Sequence, residues 1–275
     1  MERRIFTYWV DVPGSPGIPD YLKLCVQTWI DNIPGLEIVH INPGNINKWT
    51  DTKIDINQFL RTPPMFQSDI ASFAVLKNHS GIFMDIDTIV TKDIFSEIEK
   101  LDEEKFTTFG YKGTTNAHVA VMMSMKPMNE FVSAAADMVI DRLNAVPNPL
   151  PDGYKIGITH FGSDVIGAIG KNKDLRDKME VLCRTETGNI LESCYYRGGD
   201  KPGSGDIKFK QYQEFWFLPP AKGVCKSVQK AVERAKFGAV SLHNSWTPGE
   251  YKEYSISKIM QCPLMLSQFL RRALK

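Results

Sequence analysis

Residues 81–90, GIFMDIDTIV, place two aspartates directly behind a short apolar run. The apolar run predicts a buried strand, and the alternation of side chains along a strand puts Asp85 and Asp87 on one face. Two carboxylates this close repel each other unless a cation or a shared proton neutralises them. The pair is therefore the first candidate for a functional site.

Strand and helix signals alternate on the N-terminal side of this stretch. The pattern predicts two strands and two helices there: strands at 4–10 and 36–41, and helices at 19–32 and 67–81. The second helix is expected to begin at an N-cap, Ser68, and to end at Gly81. The alternation is typical of an α/β fold with a Rossmann-type, mostly parallel sheet flanked by helices. Ligands of such sheets bind beyond the carboxyl ends of the strands, which is where the two aspartates fall.

The second half of the chain is expected to contain further strands, helices and loops. The predicted elements are strands at 105–111, 118–124, 214–219 and 237–246, a helix at 128–146, and a mobile Gly-rich loop at 196–206. The tail at 258–275, KIMQCPLMLSQFLRRALK, mixes basic and large apolar residues. This mixture predicts a terminal helix docked on the core, and the alternative is a peripheral contact with a membrane. The C-terminal portion should therefore consist of helices and loops.

Bulk composition argues against several classes of protein. The 275 residues carry 33 basic and 32 acidic side chains, a formal net charge of +1, so no nucleic-acid partner is expected. The five cysteines lack metal-site and C-x-x-C spacing, which predicts free thiols in a reducing compartment. We see neither a signal peptide nor an apolar run of the roughly 18 residues that span a membrane. We therefore expect one cytoplasmic domain, 1–275.

Residues 68–90, SDIASFAVLKNHSGIFMDIDTIV, resemble a known sugar-binding region. The pattern is S-D-x-x-R-x-x-x-L-x-x-x-G-G-x-Y-x-D-x-D, found in glycosyltransferase family 32 and in the capsular polysaccharide synthesis proteins. The matching residues are Ser68, Asp69, Leu76, Gly81, Asp85 and Asp87. Ser72 stands where the family usually has Arg, and Ser80 replaces the first Gly. Shorter likenesses to the family occur at 5–29, 158–169 and 238–249.

The resemblance implies a fold, a reaction and a setting. The fold would be of GT-A type. The reaction would be a metal-dependent, retaining transfer of a hexose from a UDP-sugar to an oligosaccharide or undecaprenyl-linked acceptor. The setting would be bacterial surface (capsular) polysaccharide biosynthesis. Residues 1–125 would bind the nucleotide sugar, and residues 126–275 would bind the acceptor and supply a C-terminal lid and tail.

The resemblance also implies a metal site at the aspartates. Asp87 would bind Mn²⁺ or Mg²⁺ directly, Asp85 would bind it through water, and His243 would be a third protein ligand. These ions prefer one or two carboxylates together with substrate oxygens and water. Ser245 and Trp246 would contact the diphosphate and the leaving oxygen.

Further site residues follow from the same resemblance. The implied catalytic set is Asp69, Asp85, Asp87, Ser245 and Trp246. The residues expected around the nucleotide sugar are Thr7, Tyr8, Trp9, Ser68, Asp69, Ser72, Asp85 and Ile86. Within this set, Tyr8 and Trp9 would form a flat wall for the base. The acceptor side would contain Asn116, His160 and Asp164, and His118 would face the transferred sugar together with Asn116.

Two other readings of the aspartates remain open. The letters D-x-D-x-T at Asp85, Asp87 and Thr88 also match the haloacid-dehalogenase-like phosphatases, in which the first Asp is a nucleophile. That chemistry needs a later lysine and acidic pair, whereas FGSDVIGAIG offers only Asp164. The second reading is a non-catalytic sugar- or partner-binding relative, which the serine at position 72 favours.

Overall fold

The computed structural model describes residues 2–11, 14, 17–111, 113–148, 155–183, 205–220 and 237–275. These residues belong to two compact units that are interleaved along the chain. Unit 1 contains Met1–Val10, Glu37–Asp85 and Leu101–Cys183, and unit 2 contains Asp11–Leu36, Ile86–Lys100 and Arg184–Lys275. Residues 196–204 of the predicted Gly-rich loop lie outside the described residues. The division of one domain at residue 125 stays a prediction.

The described residues contain eight strands. They are β1 (Arg4–Tyr8), β2 (Glu37–Ile41), β3 (Gly81–Met84), β4 (Thr88–Val90), β5 (Phe106–Gly110), β6 (Ala117–Ser124), β7 (Met179–Cys183) and β8 (Ala239–Ser241). Six of them form the sheet of unit 1 in the order β2-β1-β3-β6-β5-β7. Only β6 runs antiparallel to its neighbours in this sheet. The predicted α/β fold with a mostly parallel central sheet is therefore confirmed.

Eleven helices are found in the same residues. They are α1 (Asp20–Asn32), α2 (Ile56–Leu60), α3 (Pro64–Asn78), α4 (Phe95–Ile98), α5 (Glu130–Asn144), α6 (Ser163–Ile169), α7 (Lys173–Arg176), α8 (Gly205–Trp216), α9 (Gly249–Lys252), α10 (Ile256–Gln261) and α11 (Met265–Ala273). Short 3₁₀ turns lie at Ile46–Lys48 and Asn244–Trp246. The predicted helices at 19–32 and 128–146 correspond to α1 and α5, within two residues at each end.

The core of unit 1 lies between its sheet and the pair α3 and α5. Helix α3 packs against β1, β3, β6 and α5, and side chains around most of its circumference are buried. The rings of Phe106 on β5 and Phe131 on α5 stack with their centroids 5.4 Å apart, which joins helix to sheet. Burial of this apolar surface is the main source of stability in such a layer. It gives the carboxyl end of β3 a rigid support.

Unit 2 contains the small antiparallel sheet of β4 and β8, and α1 covers the free edge of β4. The indole N–H of Trp29 donates to the carbonyl oxygen of Thr88 at 2.6 Å. The backbone N–H of Val90 donates to the hydroxyl of Thr28 at 2.9 Å, and the side-chain amide of Asn32 donates to the Val90 carbonyl at 3.0 Å. Side chains of a helix thus satisfy the strand groups that a third strand would otherwise pair.

The chain ends in two short helices of unit 2, so the predicted docking of the tail is confirmed. Helix α11 packs against α1 and β4. Its apolar side chains, including Leu266, Phe269 and Leu270, are buried. The guanidinium of Arg271 donates to the carbonyl oxygens of Met260 and Cys262, which ties α11 to α10. None of the helices in the described part of the chain has the length and apolarity needed to span a bilayer.

Three local predictions were wrong. Residues 81–90 do not form one strand, because the chain turns at Asp85–Asp87 and β3 and β4 belong to different sheets. The helix predicted at 67–81 begins at Pro64, so Ser68 lies in its second turn and is no cap. A proline at the first helical position is itself a start signal.

The third error concerns 214–219, which was expected to be a strand because it is aromatic. Residues up to Trp216 belong to α8. Tyr212, Phe215 and Trp216 are all buried, and their spacing of three and four residues is the helical one. The aromatic residues favoured a strand, whereas their spacing correctly indicates a helix.

Gly81 begins β3 in a conformation that a side chain would strain. Its φ is +147°, and an added Cβ would lie 2.9 Å from the carbonyl oxygen of Arg4 on β1. The preceding helix has already ended at Asn78, so Gly81 does not act as its stop. Gly81→Ala should lower the free energy of unfolding by about 2 kcal/mol, because β1 and β3 must separate to admit the methyl group.

Gly167→Ala is the matched control for this change. Gly167 lies in α6, where nothing is within 4 Å of an added Cβ. Alanine is the better helix former there by roughly 0.5–1 kcal/mol, so this variant should be slightly stabilised. Urea denaturation followed by circular dichroism measures both. A Gly81→Ala variant as stable as wild type would show that β3 lies farther from β1 at this position than the 2.9 Å contact requires.

Candidate active site

The carboxyl end of β3 brings several predicted residues to one edge of the sheet in unit 1. The backbone N–H of Asp85, the residue after β3, donates to the carbonyl oxygen of Ala120 on β6 at 2.8 Å. Because β6 runs antiparallel to β3, its first residues lie at the same edge as the end of β1. Asp85, Trp9 and His118 are each partly exposed there. The order and direction of the strands thus bring residues that are distant in sequence to the edge of the sheet where the site is predicted.

The carboxylate of Asp69 on α3 lies against a glycine, Gly162. A Cβ added to Gly162 would lie 2.9 Å from Oδ2 of Asp69, so only glycine lets the backbone come this close to the carboxylate. Among the described residues no group donates a hydrogen bond to this carboxylate, and burial raises the pKa of Asp69 to about 7. A partly exposed carboxylate without donors can accept hydrogen bonds from a ligand with hydroxyl groups.

Ser72 contributes no charge to the neighbourhood of Asp69. Its side chain is buried, and its hydroxyl donates to the carbonyl oxygen of Asp69 within the same helix at 2.7 Å. Ser68 is partly buried on the same helix. The cation that the family pattern has at position 72 is therefore absent from this position, and the serine is used in local helix geometry.

The raised pKa of Asp69 predicts a stability that depends on pH. The folded state holds the proton up to about pH 7, whereas the unfolded chain releases it near the usual value of 3.8. Ionising Asp69 in the folded state costs free energy. This cost is absent below pH 3.8 and fully present above about pH 7, so Asp69 destabilises the fold as pH rises through this window. Asp69→Asn should gain roughly 2 kcal/mol over wild type at pH 8, and the gain should shrink towards pH 4.

Thermal denaturation of both proteins from pH 4 to pH 8 tests this prediction. Ser68→Ala, one residue away on α3, is the control and should follow the wild-type pH profile. A difference between Asp69→Asn and wild type that stays constant across this range would contradict the assignment of the titration to Asp69.

Asp87 lies in unit 2, where the turn after β8 holds its carboxylate. Its side chain is only 8% exposed. The backbone N–H of Asn244 donates to Oδ2 at 2.8 Å, and the N–H of Leu242 donates to the main-chain oxygen of Asp87 at 2.9 Å. Burial raises the pKa of Asp87 to about 6, against the lowering effect of the Asn244 hydrogen bond. Desolvation thus disfavours the charge, whereas the nearby Lys252 charge already favours it and a bound cation would favour it further.

His243, Ser245 and Trp246 belong to the same segment of unit 2 as Asn244. The rings of His243 and Trp246 are 4.4 Å apart, and the ring of Tyr212 on α8 contacts both. Ser245 is exposed. Tyr212 also accepts a hydrogen bond from the backbone N–H of His243 at 3.1 Å. The structure therefore places these three predicted residues next to the residue that binds the Asp87 carboxylate.

The predicted aromatic wall consists of one buried and one partly exposed ring. Tyr8 is buried with its ring edge against Phe59, and its hydroxyl donates to Oε1 of Gln67 at 2.5 Å. Trp9 follows β1 and is partly exposed. Thr7 is also buried, and its hydroxyl has no hydrogen-bond partner among the described residues. Of the three side chains, that of Trp9 is the one open to a ligand in this structure.

The predicted acceptor residues lie in two neighbouring segments of unit 1. The hydroxyl of Ser163 at the start of α6 donates to the carbonyl oxygen of Ala117 at 2.7 Å, so the 159–164 turn adjoins the start of β6. Asp164 accepts a hydrogen bond from the Thr159 hydroxyl at 2.9 Å, and Asn116 is exposed. Burial, together with the charge of Arg142, lowers the pKa of His160, so its ring is neutral near pH 7.

No preassembled cluster of metal ligands is found in the described ranges. Within them, no three His, Cys, Asp or Glu side chains lie together in an arrangement suited to a metal ion. Asp85 in unit 1 is partly exposed, and Asp87 in unit 2 has one oxygen held by a backbone N–H, so each carboxylate by itself suits an ion that keeps substrate and water oxygens. The role of His243 as a third ligand stays a prediction.

Comparison with known proteins finds one matching family and several similar structures. A family model described as capsular polysaccharide synthesis protein matches residues 1–145. The PaToxG glycosyltransferase structure is similar at 16% identity, over 64% of this chain and 73% of that chain, with a TM-score of 0.38. The glycosyltransferase GlyE of Streptococcus pneumoniae TIGR4 is 12% identical, over 100% of this chain and 64% of that chain, with a TM-score of 0.43.

A further similar structure is the galactosyltransferase LgtC in complex with donor and acceptor sugar analogs. It is 10% identical to this chain, over 98% of this chain and 95% of that chain, with a TM-score of 0.40. A search of curated proteins finds no match.

Proposed function

The chain belongs to the capsular polysaccharide synthesis protein family, and from this premise we propose that it transfers a sugar from a nucleoside diphosphate donor. The observation that carries the proposal is the Asp85–Ile86–Asp87 turn directly after the buried strand β3. Ligands of mostly parallel sheets bind at such strand ends. Paired carboxylates there are suited to a cation that accompanies phosphate oxygens.

Asp85 and Asp87 are the residues proposed to hold Mn²⁺ or Mg²⁺. Besides Asn244, no other residue in the described part of the chain donates a hydrogen bond to the Asp87 carboxylate, which supports a role as ligand. When bound, the ion supplies Lewis-acid stabilisation of the charge that develops on the departing diphosphate. His243 is the proposed third protein ligand, and Ser245, two residues further on, is exposed.

The remaining residues are proposed to orient the two sugars. The carboxylate of Asp69 accepts hydrogen bonds from donor sugar hydroxyls, which is supported by its lack of hydrogen-bond donors among the described residues. Trp9 covers the nucleotide base, since its ring is the partly exposed one. Asn116 and His160, which lie in adjoining segments, contact the acceptor. Water is excluded by the 247–252 segment, which follows Trp246.

The finer assignments derive from the likeness to family 32. We propose a GT-A enzyme that uses a UDP-hexose, retains the anomeric configuration and acts on an oligosaccharide or undecaprenyl-linked acceptor. A place at the cytoplasmic face of a membrane is also proposed. The apolar face of α11 is buried, so the basic residues Arg272 and Lys275 would make such a contact through charge.

Donor hydrolysis tests the proposal. Purified protein is incubated with UDP-glucose, UDP-galactose and further UDP-sugars, with Mn²⁺ or with a chelator, and the released UDP is measured. We expect release from at least one donor in the presence of Mn²⁺ and none above the buffer rate with the chelator. Equal release under both conditions would contradict a metal-dependent transfer.

A non-catalytic sugar-binding protein is the second candidate. The observation that favours it is the buried Ser72, which places no cation near Asp69. Thermal stabilisation by UDP and Mn²⁺ without turnover of any donor would identify this case. Turnover of p-nitrophenyl phosphate that is lost in Asp85→Asn would instead identify a phosphatase, the third reading of the same aspartates.

A further inference from the structure

A chain of hydrogen bonds in unit 2 connects the Asp87 carboxylate to a buried tyrosine. The hydroxyl of Tyr21 on α1 donates to Oδ1 of Asn244 at 2.5 Å. The backbone N–H of Asn244 in turn donates to Oδ2 of Asp87 at 2.8 Å. Tyr21 therefore reaches the carboxylate through one intervening residue, and this tyrosine belongs to none of the predicted sites.

The position of the Tyr21 hydroxyl is fixed by the surroundings of its ring. The side chain is 0% exposed, and its ring contacts that of Tyr251 with the centroids 5.9 Å apart. Helix α1 is also bonded to β4 through Trp29 and Asn32. Because β4 begins one residue after Asp87, the hydroxyl is held in register with the aspartate turn.

Asn244 is held from a second side through its neighbour. The hydroxyl of Tyr212 accepts a hydrogen bond from the backbone N–H of His243 at 3.1 Å. This bond fixes the main chain before Asn244, whereas the Tyr21 bond fixes its side chain. The Tyr212 ring also contacts the rings of His243 and Trp246, so we test the bond between Tyr21 and Asn244.

We propose that Tyr21 is a positioning residue that acts through Asn244 to hold Oδ2 of Asp87, so that the other carboxylate oxygen is presented to the divalent cation. This inference rests on the proposed function. Groups that orient a ligating carboxylate through hydrogen bonds typically change metal affinity by 10–100-fold when removed.

The test measures Mn²⁺ binding directly. Free Mn²⁺ gives a sharp electron paramagnetic resonance signal, and its loss is titrated with protein in the presence of saturating UDP. Tyr21→Phe removes the hydroxyl and keeps the ring, so we expect Mn²⁺ affinity to fall about 10-fold. Tyr254→Phe is the matched control, because it removes a hydroxyl that donates to Glu250 at the surface, at 2.8 Å. This substitution should leave the affinity unchanged.

A double-mutant cycle separates positioning from general loss of stability. Asn244→Ala keeps the backbone N–H but removes the side chain that Tyr21 contacts. If both act in one chain, the double variant Tyr21→Phe/Asn244→Ala binds Mn²⁺ as weakly as either single variant. If the two substitutions act independently, their fold-losses of Mn²⁺ affinity multiply in the double variant. Circular dichroism confirms that each variant is folded before titration.

The outcomes distinguish this inference from the proposed function. Wild-type affinity in Tyr21→Phe, or multiplied losses in the double variant, would overturn the positioning role and leave the proposed function intact. Absence of Mn²⁺ binding by the wild-type protein with UDP would overturn both. A tenfold loss in both single variants without a further loss in the double variant supports the positioning role.

Discussion

Asp87→Asn should lower the rate of UDP release from the donor by roughly 100-fold or more, the size typical for loss of one group that stabilises developing charge. The amide keeps an oxygen that can accept the backbone N–H of Asn244, so the turn keeps its shape. A neutral amide oxygen is a much poorer ligand for Mn²⁺ or Mg²⁺ than a carboxylate. The rate is measured by UDP release at saturating donor and Mn²⁺.

Asp137→Asn is the control for this substitution. The Asp137 side chain is 66% exposed, and its partner is Lys77 at 3.1 Å on the surface of unit 1. Loss of such a surface pair costs little, so both rate and stability should stay close to wild type. An Asp87→Asn variant that is folded and turns the donor over at the wild-type rate would show that Asp87 takes no part in the reaction.

Trp29→Ala should lower the free energy of unfolding by about 4 kcal/mol, the largest effect expected of a single substitution in unit 2. The indole is 0% exposed, so its removal leaves a cavity between α1 and β4. The carbonyl oxygen of Thr88 also loses the N–H that it accepts at 2.6 Å. Urea denaturation followed by circular dichroism gives the change.

Two variants of α1 divide this effect into its parts. Trp29→Phe keeps most of the apolar volume and removes the N–H donor, so a loss of about 1–2 kcal/mol is expected. Ile30→Ala is the neighbouring control, because Ile30 is 54% exposed and its truncation should change stability by less than about 0.5 kcal/mol. A Trp29→Ala variant no less stable than Ile30→Ala would contradict the packing of α1 on β4.

The sequence pattern predicted the sheet well because its signals are local. Alternating apolar strands and amphipathic helices gave β1, α1, β2 and β3 within a few residues. The turn at Asp85–Asp87 was missed, since an alternating run continues through it and only tertiary pairing shows that β4 belongs to another sheet. The helical spacing in α8 was present in the sequence, but aromatic content was given more weight than periodicity.

The candidate site was predictable only where a motif stands close together in the chain. Asp69, Asp85 and Asp87 lie in one such motif, and desolvation raises the pKa of Asp69 and of Asp87. Tyr21 and Asn244, more than two hundred residues apart, meet only in the fold. The hydrogen bond that Gln67 accepts from the Tyr8 hydroxyl was missed for the same reason, because the two residues are 59 positions apart.

The central claim is that Asp85 and Asp87 hold a divalent cation against the donor diphosphate. A crystal structure of the wild-type protein with UDP and Mn²⁺, with the ion located by its anomalous scattering, tests it most directly. We predict one anomalous peak in contact with an Asp87 carboxylate oxygen and with both phosphates of UDP. Bound UDP with its phosphates away from both aspartates, or a manganese peak on other residues, would contradict the account.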